Sequence, residues 1–299
     1  MALSHDELWP RAGGWPAPTA GERADAALLG VPTWRTSISA TGAHATPAAI
    51  RDALPRYSAA LMGPPALDLN RALRIVDAGD VHEPDGDEGV DRTVARVREL
   101  AADTRLVIAL GGDNSLTYPV ARGAGADGLI TIDAHFDLRD GVSNGSPVRR
   151  LVQDAPDGQR IDPTRIVQIG IADFANSAAY AQRAADWGIR VITLDEVRRR
   201  GIPAVVAEAR EIAGAGTRIH LDVDVDAADR AAVPGCPASV PGGFTAAELR
   251  ALVRALAADA RIVSADIAEV DATADAEDGR TVRLAALCVL ELLAGLAAR

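Results

Sequence analysis

The sequence predicts a three-layer α/β/α fold built on a mainly parallel sheet of about eight strands. Three observations predict it. Eight short β-branched or aliphatic runs punctuate the 299 residues, and most are continuous rather than alternating, as in strands buried on both faces. Ala- and Leu-rich segments of helical spacing separate them, which is the alternation of a parallel sheet between helix layers. Four polar motifs directly follow or close particular runs, where ligands of open parallel sheets gather.

In chain order the strands are expected at 27–31, 74–77, 105–110, 128–132, 165–171, 190–194, 218–223 and 261–267, and helices at 47–54, 91–100, 202–212, 245–257 and 283–296. Thr46 before Pro47 reads as an N-cap with proline at the first helical position. Thr245 with Glu248 three residues later reads as a capping box. No repeat, heptad or long linker interrupts the pattern. One domain over 25–299 is expected, preceded by an N-terminal extension, 1–24, that is disordered or drapes over the surface.

Composition excludes several partners. The chain carries 31 Lys plus Arg against 42 Asp plus Glu, a formal charge of −11, which repels nucleic acid and anionic membranes. Cys236 and Cys288 form no CxxC pattern, so neither a disulfide framework nor a zinc knuckle is expected. The N-terminus lacks the apolar segment of a signal peptide, and no run approaches a membrane span. A soluble, cytoplasmic protein with a small-molecule substrate is the expectation.

The motifs are GGDNS (111–115), DAHFD (133–137), the acids of HLDVDVD (220–226) and DIAEV (266–270). In an extended or looping backbone, residues two apart point to one side, so Asp133, His135 and Asp137 can converge. Asp224 and Asp226 share that spacing, and so does Asp222; periodicity alone leaves this register open. One isolated DxHxD is as readily a solvent-facing junction as a metal site, but a second acidic pair is costly to gather unless a cation neutralises it. Oxygen-rich ligation with a single imidazole favours Mn²⁺ over Zn²⁺, with Mg²⁺ still open. Two ions sharing carboxylates, or one ion, are both compatible.

These residues resemble the ureohydrolases: arginase, agmatinase, formimidoylglutamase and their relatives. GGDNS is similar to the family's GGDHS, DAHFD to DAHxD, DVDAADRAAVPG to DxDxxDPxxxPG and DIAEV to DIxEV, in the same order, from about Gly30 to the C-terminus. The resemblance implies the arginase-like fold, Mn²⁺ and the metal ligands Asp133, His135, Asp137, Asp224 and Asp226. It selects Asp224 and Asp226 over Asp222 because Asp229 and Pro234 then match, although Arg230 replaces a proline. It implies that Asp133 and Asp224 bridge two ions, that Asp137 serves the first, and that His135 and Asp226 serve the second. At the family's remaining histidine ligand stands Asn114. Three outcomes follow: Asn114 ligates, water fills the gap, or the first site is vacant. Homo-oligomers, trimers or hexamers, are also implied.

Within the family, DAHFDLR, SNGSPV (143–148) and QIGIADFANS (168–177) look most like formimidoylglutamase, which implies hydrolysis of N-formimidoyl-L-glutamate to glutamate and formamide in histidine degradation. Asn144 stands where agmatinases and arginases present a histidine. The chemistry agrees, since a substrate with two carboxylates needs cationic partners. Arg139 is placed to grip one in bidentate fashion, with Arg35 a weaker candidate; an ordinary surface arginine is the plain alternative for each. In the implied mechanism the metals activate water, Asp137 passes its proton to the leaving amine, and Glu269 pairs with the amidinium. The alternatives are a guanidine hydrolase of agmatinase or arginase type releasing urea, and a metal-poor non-catalytic relative. His44, His82, Asp77 and Asp80 read as structural, His220 as a packing or supporting residue, and 234–243 as a loop rimming the site.

Overall fold

A computed structural model describes residues 6–299; Met1–His5, the start of the expected extension, lie outside the described residues. In chain order its strands are β1 (Ala24–Val31), β2 (Ala60–Leu61), β3 (Leu67–Asp68), β4 (Ile75–Asp80), β5 (Thr104–Gly111), β6 (Gly128–Ile132), β7 (Ile166–Ile171), β8 (Arg190–Thr193), β9 (Ile219–Asp224) and β10 (Ile262–Ala268). Its helices are α1 (Thr46–Ala53), α2 (Leu69–Ala72), α3 (Gly86–Asp103), α4 (Thr117–Gly123), α5 (Pro147–Gln153), α6 (Ala178–Trp187), α7 (Leu194–Arg200), α8 (Ile202–Ala213), α9 (Ala246–Ala257) and α10 (Arg280–Ala297).

All eight expected strands join one parallel sheet, ordered β4-β1-β5-β10-β9-β6-β7-β8. The two-residue strands β2 and β3 pair separately, a hairpin too short for a periodicity signal. The last two strands in chain order, β9 and β10, lie between β5 and β6, at the middle of the sheet. Leu106, Ile108, Leu110, Leu221, Val223 and Ile267 point to one face and pack under α1, α8, α9 and α10. The other face carries Val107, Ala109 and Leu129 beneath α3, α4 and α5. Residues two apart on a strand share a face, so the same alternation sets His220, Asp222 and Asp224 opposite the larger core.

The expected capping box is present, with Glu248 N donating to Thr245 Oγ1 (3.2 Å) and Thr245 N donating to Glu248 Oε2 (2.8 Å). The expected cap at Thr46 is not. Thr46 is already helical, no side chain caps α1, and the Thr46 hydroxyl instead donates to Val270 O at 2.5 Å. A buried hydroxyl that can tie α1 to the chain leaving β10 gains more there than at a helix end. Within the expected extension, residues 12–16 lie against the domain: Ala12 is buried, Ala12 N donates to Tyr57 O, Trp15 Nε1 to Asn70 Oδ1 (3.0 Å), and Asp77 N to Pro16 O. Arg51 clamps Asp77 and Asp80 at 2.7 and 2.5 Å, a structural tie of α1 to the edge strand. No described helix is long and apolar enough to cross a membrane.

Candidate metal centre

Four adjacent strands, β5, β10, β9 and β6, end beside one another, and each delivers one motif. Asp133 follows β6 and is fully buried. Its Oδ1 accepts from His135 N at 2.6 Å, bending the chain out of the strand, and Asp137 then takes a left-handed φ of 53°. Such a backbone costs a non-glycine residue on the order of 1–3 kcal/mol and persists only where its surroundings fix it. After Asp224 ends β9, a single 3₁₀ turn spans Val225–Ala227, capped by Asp224 Oδ1 accepting from Asp226 N at 2.8 Å. This turn, rather than strand alternation, sets Asp226 beside Asp224. Asp226 Oδ1 accepts from Ala134 N (3.1 Å) and Oδ2 lies 2.7 Å from His135 Nδ1.

The result is two overlapping groups, Asp133 with His135 and Asp226, and Asp133 with Asp137 and Asp224. Within each, one ligand atom per residue lies within 4.8 Å of the others. Asp133 belongs to both. Asp222 belongs to neither and lies two residues deeper in β9.

The electrostatics of the cluster favour a bound cation. Burial first, then neighbouring carboxylates, push Asp133 and Asp224 well above the usual carboxylate range. Asp137 rises to about 7, with burial outweighing the help of His135. Burial works to lower the His135 pKa, yet Asp226 and Asp133 raise it to about 12. His135 is the one imidazole of the cluster among the described residues, and the carboxylates around it favour its protonated form. Asp133 Oδ2 is buried with no hydrogen-bond partner. Four carboxylates and one imidazole form an oxygen-rich set suited to hard divalent ions, so the residues present fit such a centre.

Asn114, expected among the ligands, stands at the edge of the cluster with its amide nitrogen inward. Nδ2 donates to Asp137 Oδ2 at 2.6 Å, while Oδ1 accepts from Thr117 Oγ1 at 2.7 Å. The orientation follows from chemistry, because a carboxylate only accepts and therefore takes the NH₂ group. In this arrangement the amide nitrogen of Asn114 meets Asp137, and its oxygen, the atom with lone pairs for a cation, meets Thr117 Oγ1.

Glu269 follows β10, is 6% exposed, and has a left-handed φ of 61°. Its Oε1 accepts from Asn114 N (2.8 Å) and from Asn144 Nδ2 (2.7 Å). Burial and then Asp113 raise its pKa to about 8. Asn144 Oδ1 in turn accepts from Ile38 N at 3.0 Å, so one carboxamide links Glu269 to the loop after β1. Asp113, a residue the motif reading passed over, holds the same loop: it is buried and its carboxylate accepts from Ser37 Oγ and Ser115 Oγ, both at 2.5 Å. Its place inside GGDNS was the available signal.

A cavity of about 270 Å³ opens over the cluster, with His135, Asp137, Asp224, Asp226, Asn144 and Glu269 in its walls. Arg139 stands exposed at its mouth and its guanidinium has no hydrogen-bond or ion-pair partner among the described residues. Pro237 and Ala238 rim it, from the loop expected to do so. Arg230, in place of the family's proline, donates to Cys236 O and to Ser239 Oγ, pinning that loop. Arg35 is exposed and lies outside the cavity walls; His82 is exposed, and the His44 ring packs tilted at 49° against Trp34, centroids 5.0 Å apart.

A model of the arginase family matches residues 24–295. The chain belongs to the arginase family. It is 37% identical over 294 residues to the formimidoylglutamase of Halobacterium salinarum, covering 94% of this chain and 90% of that protein. Among solved structures, formimidoylglutamase from Bacillus subtilis superposes with a TM-score of 0.89 at 29% identity, covering 99% of this chain and 94% of that one. Trypanosoma cruzi formiminoglutamase with Mn²⁺ superposes with a TM-score of 0.82 at 25% identity, covering 92% and 94%. This arginase-family chain is therefore a metal-dependent hydrolase by family, with the fold and candidate metal-binding groups to match.

Proposed function

We propose that the protein hydrolyses N-formimidoyl-L-glutamate to L-glutamate and formamide. The observation that carries this reading is the polarity of the cavity: a buried acid, Glu269, lies beside the metal-binding carboxylates, and an unpaired guanidinium, Arg139, stands at the mouth. A cationic amidine head and an anionic tail match those two ends. Agmatine, with a second cation in place of the tail, would meet Arg139 with like charge. The named formimidoylglutamases among the relatives support the same choice.

Asp133, His135, Asp137, Asp224 and Asp226 would hold the ions, two Mn²⁺ in this reading. When bound, such ions lower the pKa of water so that a nucleophile exists near neutral pH. Glu269 Oε1 is occupied by two N–H donors, which leaves Oε2 to pair with the amidinium. Asp137 Oδ2 is held by Asn114, and Asp137 takes a proton from the attacking water and gives it to the leaving amine. Asn144 positions Glu269 and the 33–39 loop rather than gripping substrate directly. We extend the reading to a homo-oligomer, trimer or hexamer; analytical ultracentrifugation showing only monomer would remove that part.

Incubating the Mn²⁺-supplemented protein with formimidoyl-glutamate, agmatine, arginine and guanidino acids tests the assignment through formamide and urea release. Urea from a guanidine, with formimidoyl-glutamate inert, moves the protein to a guanidine hydrolase. No metal uptake and no turnover of any substrate makes it a non-catalytic relative.

Two substitutions refine the roles. Arg139→Met is expected to raise KM for formimidoyl-glutamate about tenfold or more with little change in kcat, because the lost contact is to the non-reacting tail; an unchanged KM would show that the tail binds elsewhere. Asn144→Asp sets a carboxylate against Glu269 Oε1, where a donor now sits at 2.7 Å, and is expected to cut kcat/KM about a hundredfold. Asn144→Ala should cost less but speed hydrogen exchange at the Ile38 amide, and unaltered exchange there would argue against the tether.

A further inference from the structure

Under the candidate metal centre, on the same sheet face and two residues earlier in each strand, runs a polar row that the hydrolysis leaves unused. Thr131 in β6 pairs in register with Gln168 in β7 and with Asp222 in β9, and Asp222 pairs with Asp266 in β10. All four side chains belong to residues with no exposed surface. Gln168 Nε2 donates to Phe136 O at 2.9 Å. Asp266 Oδ2 lies 3.0 Å from His220 Nε2, and His220 Nδ1 lies 2.8 Å from Ser264 Oγ.

Everything else in the row is unsatisfied. Gln168 Oε1, Thr131 Oγ1, both oxygens of Asp222 and Asp266 Oδ1 are buried without a hydrogen-bond partner. The Asp222 and Asp266 carboxyls lie within hydrogen-bond reach of each other, and the charges acting on Asp222 are those of Asp266, Asp133 and Asp137, all acidic. Of these five oxygens only the threonine's carries a hydrogen of its own. Buried carboxylates without compensation are among the most expensive arrangements a core can hold. A pair of divalent ions above would offset the charges of Asp133 and Asp137, but would leave Asp222 against Asp266 and the five oxygens still without partners.

We propose that Asp222, Asp266, Thr131 and Gln168 enclose a buried binding site for a hard monovalent cation, Na⁺ or K⁺. One water brings two hydrogens and no charge, and one shared proton serves two oxygens, whereas a cation of this class accepts an all-oxygen shell. Mg²⁺ fits less well because it sheds its own waters reluctantly. The two unpartnered neutral oxygens, Thr131 Oγ1 and Gln168 Oε1, are what separate this row from a mere acidic pair. A cation here would hold β6, β9 and β10 in register directly below Asp133 and Asp224, independently of which substrate the site above accepts.

Crystals grown with Tl⁺ in place of K⁺ test the site without any mutation, and an anomalous peak bonded to Asp222 and Asp266 is the expected result. In solution, Tm should be about 3 °C or more higher in KCl than in choline chloride at equal ionic strength, and Asp222→Asn should remove the difference. If Asp222→Asn does not fold, Thr131→Val gives the same comparison with the carboxylates intact. No anomalous peak with equal Tm in both salts, or electron density showing only water or a short proton-sharing contact between the two carboxyls, overturns the proposal.

Discussion

Replacing Glu269 by glutamine is expected to lower kcat/KM for formimidoyl-glutamate by roughly a thousandfold, with fold and Mn²⁺ content unchanged. The carboxylate is held by the Asn114 backbone N–H and by Asn144 Nδ2, and glutamine's carbonyl oxygen can accept both. Its NH₂ group then faces the cavity where the amidinium must sit, so an attraction becomes a repulsion at the reacting centre. Losing one preorganised electrostatic contact at such a point costs on the order of 10²–10³ in rate, and the reversed dipole adds to it. Steady-state kinetics beside circular dichroism and metal analysis give the check. Activity within tenfold of the parent, in a folded and metal-loaded variant, would remove Glu269 from the mechanism.

Metal removal should make stability fall steeply with pH. Glu269 is raised to about 8, Asp137 to about 7, and Asp133 and Asp224 are also raised well above the usual carboxylate range, in each case with burial the largest cause. For a carboxyl whose folded pKa exceeds its unfolded value, the folded state binds more protons between the two, so the contribution to stability is complete below about pH 4 and is lost as pH rises through the folded pKa. Chelator-treated protein is therefore expected to melt lower at pH 8 than at pH 5. Mn²⁺ should reverse this at pH 8, because ions that bind only the folded state at about a thousandfold excess over Kd add ~4 kcal/mol, a Tm rise of about 10 °C for a chain of this size. Equal melting temperatures with and without Mn²⁺ at pH 8 would mean that the carboxylates are not a metal centre. His135 acts in the same direction: its pKa is raised from 6.5 to about 12, so its contribution is complete below about pH 6.5 and is lost progressively as pH rises above it.

Much of this was legible along the chain, and unevenly so. The β-branched and aliphatic runs overlap all eight sheet strands because a strand buried on both faces is largely apolar, a local demand. The capping box at Thr245 is equally local. Thr46 reads identically as a cap, and only the carbonyl of Val270, supplied by a distant strand, turns its hydroxyl elsewhere. Asp133, His135, Asp137, Asp224 and Asp226 were marked by type and spacing, but Asp222 shared that spacing. What separates Asp222 from Asp226 is a 3₁₀ turn that no periodicity announces.

The amino-acid sequence alone determined the eight sheet strands, the five helices α1, α3, α8, α9 and α10, their order and which strand ends carry the reactive side chains, since each is written in neighbouring residues. The tertiary structure decided that β9 and β10 slot between β5 and β6, bringing four distant motifs together. It also decided that Asn114 turns its nitrogen to Asp137 and that Asn144, 125 residues from Glu269, holds that acid in place. Such pairings depend on strand order and on which lone pairs remain unmet once the core has closed, and neither quantity exists until the chain has folded.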